Sequence, residues 1–429
     1  MRSRGAIPAY VPITKLLSTV VDNRGRTCPT ADLGIPLIAT NCIRNEDLYP
    51  VPSNIRHVSQ ETYDSWFRGH PEPGDVIFVN KGTPGRVCLV PDPINFCIAQ
   101  DMVALRVNDN VDNLYLLAAI RSPQVQNQIH QMQVGTMIPH FKKGDFEKLL
   151  IPIFNLPIQR TIGKIYFEIS EKIETNRHLA ETLEAIAQSV FKSWFIDFDP
   201  VKAKMAGEKP VGMDDAMAAS FPDSIQDSAL GPIPSGWKLQ SLSEIGEFRN
   251  GLAMQKFPVV DDGSVLPVIK IAQLRAGSTA GADLASGLID PKFVISDGDI
   301  LFSWSGTLEI EHWAGGPGAL NQHLFKVLGK TVPDWFIYSS SRSHLPEFRK
   351  IASGKATTMG HIQRAHLDEA KVAVPPAALL EAVGGFLSAL VAKKVALLVE
   401  NRTLTEIRDA LLPRLISGEL KIPEEMLVS

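Results

Sequence analysis

Cysteine side chains can act in catalysis or bind metal ions, and this 429-residue chain has four of them. All four lie in the first quarter of the sequence, at Cys28, Cys42, Cys88 and Cys97. Their spacing includes no CxxC pair and no Cys/His arrangement of the kind that holds zinc. We therefore expect buried, reduced thiols with no part in catalysis or metal binding.

Pairs of adjacent acids form the second set, since carboxylates serve as general acids, general bases or metal ligands. They fall in segments typical of loops or a terminus, where solvated carboxylates are the expected state. The pairs are Asp214-Asp215, Asp261-Asp262 and Glu424-Glu425. The sequence also lacks the motifs that hold nucleotide phosphates, dinucleotides or catalytic zinc, and the Asp/Asn-Pro-Pro-aromatic signature of amino-methyltransferases. We expect a chain with no catalytic site, metal or cofactor of its own.

The elements that would position any binding residues occur twice along the chain. "TNRHLAETLEAIAQSVFKSWF" (175–195) resembles "ENRTLTEIRDALLPRLISGEL" (400–420). Upstream, "GDVIF" (74–78) matches "GDILF" (298–302), and "GTMIPHF" (135–141) matches "ATTMGHI" (356–362). The partners stay between 221 and 225 residues apart. This constant spacing predicts a duplication of one structural unit.

Each repeat has two parts of different character. The first part is rich in Gly, Pro, Val and Ile, with short β-like runs broken by turn residues, which predicts a small α/β domain. In the second part, apolar residues recur at steps of three and four, the pattern of a coiled-coil seam. Each seam is about 35 residues long, or roughly 50 Å of helix.

Asn176-Arg177 and Asn401-Arg402 occupy matching positions in the two helical segments. A buried Asn on a coiled-coil seam lowers stability and sets the register, because only one alignment gives it a partner. Alternatively, both Asn side chains lie just off the seam and are solvated. Either interpretation makes these residues structural, as register or interface positions.

These patterns predict an α+β or α/β fold. Two globular domains would be separated by two long antiparallel coiled-coil helices and related by an internal pseudo-twofold repeat. The expected segments are a first globular domain (1–155), a central helix (156–198), a connector (199–231), a second globular domain (232–375), a C-terminal helix (376–420) and a tail (421–429).

Charge and hydropathy narrow the class of protein. A net charge of −4 and a pI near 6.2 lack the basic footprint of a protein that binds nucleic acid by itself. We find no apolar stretch of about 18 or more residues, and no apolar segment follows the basic N-terminus. We therefore expect neither a membrane span nor a secretory signal, and a cytoplasmic location.

Several phrases resemble the specificity subunits of type I restriction-modification enzymes. They are "NRHLAETLEAIAQSVFKSWFIDFDP" (176–200), "GPIPSGW" (231–237), "LLPRLISGEL" (411–420) and the two globule-plus-helix repeats. The resemblance covers essentially the whole chain. Repeat one departs from it, because it lacks an "IPSGW"-like opening.

The resemblance implies a non-catalytic subunit whose two globules are target recognition domains, each reading one half of a split, asymmetric sequence in double-stranded DNA. It also implies that the helices set the gap between the halves and recruit two copies of an adenine-methyltransferase subunit. A translocase-nuclease subunit would join for restriction. S-adenosylmethionine, ATP and Mg²⁺ would bind only to those partners, which would also help hold the duplex. The alternative is a coiled-coil scaffold with duplicated protein- or ligand-binding domains.

Base-reading residues do not transfer from the resemblance, because such globules diverge with the sequence they read. By chemistry we favour polar and basic side chains near the duplicated motifs, since Arg or Lys can reach guanine edges or phosphates and hydroxyls can serve either. Any one of them could instead be an ordinary loop residue or a histidine satisfied within the fold. The candidates are Lys81, Thr83, Arg86, His140, Lys142 and Lys143 in repeat one, and Ser303, Trp304, Ser305, Thr307, Lys355, Thr357, Thr358, His361 and Arg364 in repeat two.

Overall fold

The computed structural model describes residues 7–23, 25, 27–98, 100–135, 137–260, 263–354 and 360–427. The chain divides into two compact units. Unit 1 comprises Met1–Thr175 with Thr403–Ser429, and unit 2 comprises Asn176–Arg402. The two long helical segments are therefore not a separate body in this division, because each contributes one part to each unit.

Unit 1 is built on a four-stranded antiparallel sheet. In spatial order its strands are Leu17–Val21, Met102–Val107, Val76–Val79 and Val87–Leu89. A second sheet has the order Arg56–Val58, Ile35–Ile38, Cys97–Ile98, and Ala9–Pro12 pairs with Leu150–Ile153. The helices are Gln60–Ser65, Asn113–Arg121 and Pro123–Met132, with short 3-10 turns at Ile13–Leu16, Thr40–Cys42, Lys143–Glu147 and Glu424–Met426. Val76–Val79 is buried on both faces, which explains its uninterrupted apolar sequence.

Unit 2 repeats this plan. Its first sheet has the order Gly246–Asn250, Leu324–Gly329, Ile300–Ser303, Ile310–His312. Its second sheet has the order Leu284–Ser286, Val265–Ile269, Gly318–Leu320, Val294–Ile295. Lys238–Ser241 pairs with Lys371–Val374, and Ile225–Gln226 with Ile233–Pro234. The shorter helices and turns are Asp199–Met205, Asp215–Ser220, Leu242–Ile245, Met254–Lys256, Ile271–Ala276, Pro291–Phe293, Asp334–Ser343, Leu345–Ser353 and Arg364–Glu369.

The predicted duplication is confirmed in the four-stranded antiparallel sheets, which have the same strand order in both units. Val79 pairs with Met102 in unit 1, and Ser303 pairs with Leu324 at the equivalent place in unit 2. In both units the second sheet includes one parallel strand pair, which needs a crossover connection. The two repeats therefore share the strand order and register of the first sheet, whereas the second sheet has three strands in unit 1 and four in unit 2.

The predicted long helices extend over Leu156–Phe191 and Ala377–Ile416, 36 and 40 residues respectively. A π-helical turn, Lys192–Ile196, continues the first. In unit 1, Ile162 shares a buried core with Leu412 and Ile416. In unit 2, Phe191 shares one with Leu387. Helix pairing through apolar seams thus occurs inside each unit.

Two equivalent arginines tie each unit's globular part to the first long helix. In unit 1, Arg121 donates to the hydroxyl of Tyr166, 3.2 Å away, and to two backbone carbonyls. In unit 2, Arg342 lies 3.3 Å from the Glu184 carboxylate. The two positions are separated by 221 residues (342 − 121), the spacing of the repeat.

The connector between the repeats is more structured than its Pro/Gly-rich composition suggested. It contains the helices Asp199–Met205 and Asp215–Ser220. Val201 and Phe221 are buried in the core of unit 2 beside Trp237. Burial of this much apolar surface makes the segment part of unit 2.

One helix among the described residues, Ala377–Ile416, is long and apolar enough to cross a membrane by those two criteria, with a mean hydropathy of 1.8 over 18 residues. The expectation of no such apolar segment is therefore wrong as a statement about averaged hydropathy. This helix nevertheless contributes Val383 and Leu387 to the core of unit 2, and its Lys394 is buried in ion pairs. Those contacts pack this helix against the globular part of unit 2.

The four cysteines are buried and form no disulfide, as expected. Burial raises the pKa of the Cys97 thiol to about 12 and that of Cys88 still further above its usual range. Neither thiol is therefore ionised near neutral pH, so both lack the thiolate that reactive cysteines need.

Candidate functional site

The two duplicated motifs meet in unit 1 through backbone hydrogen bonds. The Gly82 N–H donates to the Pro139 carbonyl at 2.9 Å, and the Phe141 N–H donates to the Asn80 carbonyl at 2.7 Å. Between them Lys81 and His140 form an antiparallel bridge. The structure therefore places two sequence-predicted residues side by side at the end of the four-stranded sheet.

Unit 2 has the same bridge. The Gly306 N–H donates to Gly360 at 2.8 Å, the Ile362 N–H donates to Trp304 at 2.9 Å, and Ser305 pairs with His361. The bridge thus has the same backbone geometry in both units and different side chains, Lys81 in one and Ser305 in the other.

The predicted residues of unit 1 differ in accessibility. Lys81, Lys142 and Lys143 are exposed, and the Lys143 ammonium lies 3.4 Å from the Asp22 carboxylate. Arg86 is half-buried, with its guanidinium 3.5 Å from the Ile43 carbonyl. The Thr83 hydroxyl is buried and has no hydrogen-bond partner among the described residues. The three lysines are therefore the best placed of this group to meet a ligand.

In unit 2, Ser303 has a structural role. Its buried hydroxyl donates to the Thr307 carbonyl at 2.6 Å and accepts from the Glu309 N–H at 2.8 Å. These bonds close the loop after the strand and leave Thr307 exposed at its tip. Ser305 is also buried, and its hydroxyl lies 3.1 Å from His323 Nδ1.

Trp304 is the centre of a polar and aromatic cluster in unit 2. Its indole N–H is shared between Asn250 Oδ1 at 3.1 Å and the Gln322 carbonyl at 3.2 Å. The ring centroids of His323 and His361 lie 5.7 and 6.3 Å from that of Trp304. The candidates chosen from the sequence thus include Trp304 and His361 but not the neighbouring Asn250, Gln322 and His323.

Those three residues were missed because they do not lie in either duplicated motif. Asn250 ends one strand, and Gln322 and His323 come just before the next strand in the sheet order. Only the antiparallel pairing of these strands brings them to the bridge. A polar residue at the end of a predicted strand was the one signal available.

Arg364 lies on the same side of unit 2, where its guanidinium donates to the Phe248 carbonyl at 3.2 Å and lies 5.7 Å from the centroid of the Phe325 ring. Arg364 is exposed despite these contacts. The predicted residues Lys355, Thr357 and Thr358, and the acid pair Asp261-Asp262, lie outside the described residues.

The Asn-Arg positions on the helices make specific contacts in unit 2. Asn176 is 1% exposed, and its amide donates to Glu400 Oε2 at 3.0 Å. Arg402 makes two bonds to the Asp297 carboxylate, at 2.7 and 2.8 Å, and a third to the Ala314 carbonyl. Arg177 lines an open crevice of about 670 Å³, and Asn401 is half-buried. Asn176 therefore joins the two helices, whereas Arg402 joins the second helix to a loop of unit 2.

A buried ionic cluster lies beside that crevice. Lys394 Nζ is 2.9 Å from Glu184 and 3.1 Å from Glu311, and Arg342 also contacts both carboxylates. Burial opposes ionisation of Glu184, but the pairs with Lys394 and Arg342 outweigh it and hold the pKa of its carboxyl below the usual value. Burial, aided by the charge of Lys394, lowers the pKa of His312 to about 3. The cluster is an internal structural network, with its charges neutralised by one another.

Among the described residues no group of three or more His, Cys, Asp or Glu side chains could hold a metal ion. The described polar side chains at the bridges can donate and accept hydrogen bonds and carry positive charge. Such groups suit recognition of base edges and phosphates.

The sequence profile of the type I restriction modification DNA specificity domain matches this chain twice, over residues 30–185 and 234–405. The chain belongs to this family of specificity subunits. Each match covers one globular part and a portion of one long helix. The family assignment thus agrees with the duplication seen in the strands.

Specificity subunits of Haemophilus influenzae and Methanocaldococcus jannaschii are similar to this chain. The type I restriction enzyme HindI specificity subunit of Haemophilus influenzae is 24% identical over 81% of this chain and 86% of its own length. The MjaIX specificity subunit of Methanocaldococcus jannaschii is 23% identical over 91% and 88%. The crystal structure of a type I restriction-modification S subunit from M. genitalium aligns with a TM-score of 0.54 and 17% identity, covering 97% of each chain. That likeness supports the fold.

Proposed function

We propose that this specificity subunit directs a type I restriction-modification complex to a bipartite, asymmetric target in double-stranded DNA. Each unit would read one half through its loop bridge, and the subunit itself would have no catalytic activity. The observation that carries the proposal is the loop bridge, which has one backbone geometry in both units and different side chains. A shared backbone geometry that carries different hydrogen-bonding side chains suits two domains that recognise different base sequences.

The exposed lysines of unit 1 and Arg364 of unit 2 would contact phosphates or guanine, while Trp304 and its neighbours would form the base-reading surface of unit 2. Lys and Arg provide charge for phosphates, and planar or amide groups provide directional hydrogen bonds to base edges. Lys355, Thr357, Thr358, Thr307, His140 and His361 remain candidates for the same surfaces.

The net charge of −4 requires help in holding DNA. We assign that help to partner subunits, namely two copies of an adenine-methyltransferase and, for restriction, a translocase-nuclease. S-adenosylmethionine, ATP and Mg²⁺ would be bound there, and the complex would act in the cytoplasm. The long helices provide a surface suited to docking, since Leu179, Ile186 and Phe386 are 40%, 42% and 43% exposed.

The helices would also set the number of unspecified base pairs between the two half-sites. Helix Leu156–Phe191 belongs partly to unit 1 and partly to unit 2, and so does Ala377–Ile416. A continuous α-helix changes length by about 1.5 Å per residue, so its residue count can determine a distance.

The test is to co-express this chain with its methyltransferase partner in a host without adenine methylation and to map modified adenines across the genome. We expect one split, asymmetric motif that disappears when the specificity subunit is omitted. A stable complex with an active methyltransferase but no split motif would contradict the proposal and favour a scaffold with protein-binding domains.

A further inference from the structure

We propose that Asn250 determines the base read at one position of the unit 2 half-site, and that Trp304 is the positioning residue that sets the direction of its hydrogen bond. Asn250 would present its amide N–H groups to an acceptor atom on a base edge in a DNA groove. This inference rests on the proposed function and deepens it, because it assigns a residue and a class of base edge.

The direction of the hydrogen bond follows from the chemistry of tryptophan. An indole N–H can only donate, so the Asn250 atom 3.1 Å from it is the carbonyl oxygen Oδ1. The side-chain amide of an unconstrained Asn can rotate by about 180° and exchange the positions of its donor and its acceptor. Here that rotation would place the NH₂ group of Asn250 against the indole N–H of Trp304, which is also a donor. The NH₂ group is therefore kept on the side away from Trp304.

Trp304 is itself held firmly. Its N–H also reaches the Gln322 carbonyl at 3.2 Å, and its ring lies 6.0 Å from Phe325 and 5.7 Å from His323, between ring centroids. Its own carbonyl accepts the bridge hydrogen bond from Ile362. Asn250 is thus attached to a group whose position is set by both duplicated motifs.

The backbone next to Asn250 is equally constrained. Gly251 passes so close to the neighbouring strand that a Cβ atom there would lie 2.2 Å from the Asn321 carbonyl oxygen. Leu252 then donates to Leu320 and accepts from Gln322. Asn250 is nevertheless exposed. An exposed polar group on a constrained backbone loses little freedom on binding, which favours selective recognition.

The equivalent position in unit 1 has the opposite polarity. Val21 pairs with Ala104 in unit 1, and Arg249 pairs with Lys326 in unit 2. Ala104 lies two residues after Met102, and Lys326 lies two residues after Leu324. Met102 and Leu324 are equivalent positions in the two sheets. Asp22 is therefore the counterpart of Asn250. A carboxylate only accepts hydrogen bonds, whereas the outward NH₂ of Asn250 only donates. The Asp22 carboxylate is 16% exposed and lies 3.4 Å from the Lys143 ammonium, so this position of unit 1 presents a carboxylate paired with a lysine where unit 2 presents an exposed NH₂ group.

The test compares Asn250→Asp, Asn250→Ala and Trp304→Phe with the wild type, each in the complete complex with its methyltransferase, by mapping methylated adenines. Asn250→Asp keeps Oδ1 for Trp304 but replaces the outward donor with an acceptor. We expect it to change the preferred base at one position of one half-site, by about tenfold or more, toward a base that offers a donor, such as cytosine. Asn250→Ala and Trp304→Phe should relax the same position without a new preference. Asn110→Asp, at an exposed turn of unit 1, is the matched charge control and should leave the motif unchanged.

The outcomes separate this inference from the proposed function. If the wild-type complex yields no split motif, the proposed function itself fails. If the wild type yields one and all three variants keep every base preference, Asn250 does not read a base. Changes in both half-sites, or a uniform loss of methylation in all three variants with no altered position, would also overturn the inference by making Asn250 a structural residue.

Discussion

Lys394 Nζ lies 2.9 Å from Glu184 Oε2, and this buried ion pair joins the two long helices inside unit 2. The side chains are 8% and 12% exposed. Glu311 and Arg342 extend the pair to the sheet and to helix Asp334–Ser343. These ion pairs therefore link the long helices of unit 2 to its globular part. Each buried charge is stabilised by a partner of opposite charge on another element.

Replacing Lys394 by Met should destabilise unit 2 by about 3–5 kcal/mol, because the Glu184 and Glu311 carboxylates would then share the single cation of Arg342. The measurement is urea unfolding followed by tryptophan fluorescence, since Trp194, Trp237, Trp304, Trp313 and Trp335 all lie in unit 2. The matched control is the exposed neighbour, Lys393→Met, which should change the free energy of unfolding by less than about 0.5 kcal/mol.

The double variant Lys394→Met, Glu184→Met should recover much of that loss, because it removes the excess carboxylate and leaves the one-to-one Arg342–Glu311 pair intact. If the double variant is less stable than Lys394→Met alone, the ion pair is not the source of the effect.

Unit 2 should lose stability between pH 6.5 and pH 5 through His312. The pKa of His312 falls from the ordinary 6.5 to about 3 in the folded chain. Between these two pH values, His312 is protonated in the unfolded chain and neutral in the folded chain. Stability contributed by a group that binds more protons when unfolded decreases as the pH is lowered. We expect His312→Gln to reduce the loss of unfolding free energy over this interval by about 1–2 kcal/mol. An unchanged pH dependence in the variant would show that His312 is not held neutral.

Substitutions at the unit 1 bridge should affect one half of the target. Lys81→Gln together with Lys142→Gln should alter preferences only in the half-site read by unit 1, because each bridge is built within its own unit. Methylation mapping checks this, with the exposed helix residue change Lys164→Gln as a control that leaves the motif intact. Altered bases in both halves would contradict independent reading.

Helix length should control the gap. Seven residues inserted after Thr175 and seven after Arg402 keep the phase of the apolar seam and add roughly 10 Å of helix, which corresponds to about three base pairs. The mapped motif should keep both half-sites and widen by about that number. Seven residues inserted after Gly207, in the exposed turn of the connector, should leave the gap unchanged. If the gap is unaltered in the variant with longer helices, the helices do not set the distance between the half-sites.

The sequence by itself determined the duplication, the helices and the family. Apolar residues at steps of three and four need only local geometry to predict a helix, and Leu156–Phe191 and Ala377–Ile416 follow that pattern. The repeated motifs kept their spacing because both units use the same strand order. Such signals are local or periodic, so they can be read along one chain.

Only the tertiary structure decided which side chains meet at the proposed site. Asn250, Trp304 and Gln322 are far apart in sequence and meet because three strand ends converge. The same packing buried the Thr83 hydroxyl and the whole of Ser303, which the sequence had placed among the binding candidates. It also gave Lys394, on an apolar seam, its two carboxylate partners. Burial and hydrogen-bond partners depend on contacts between distant segments, and neither residue type nor spacing along the chain contains that information.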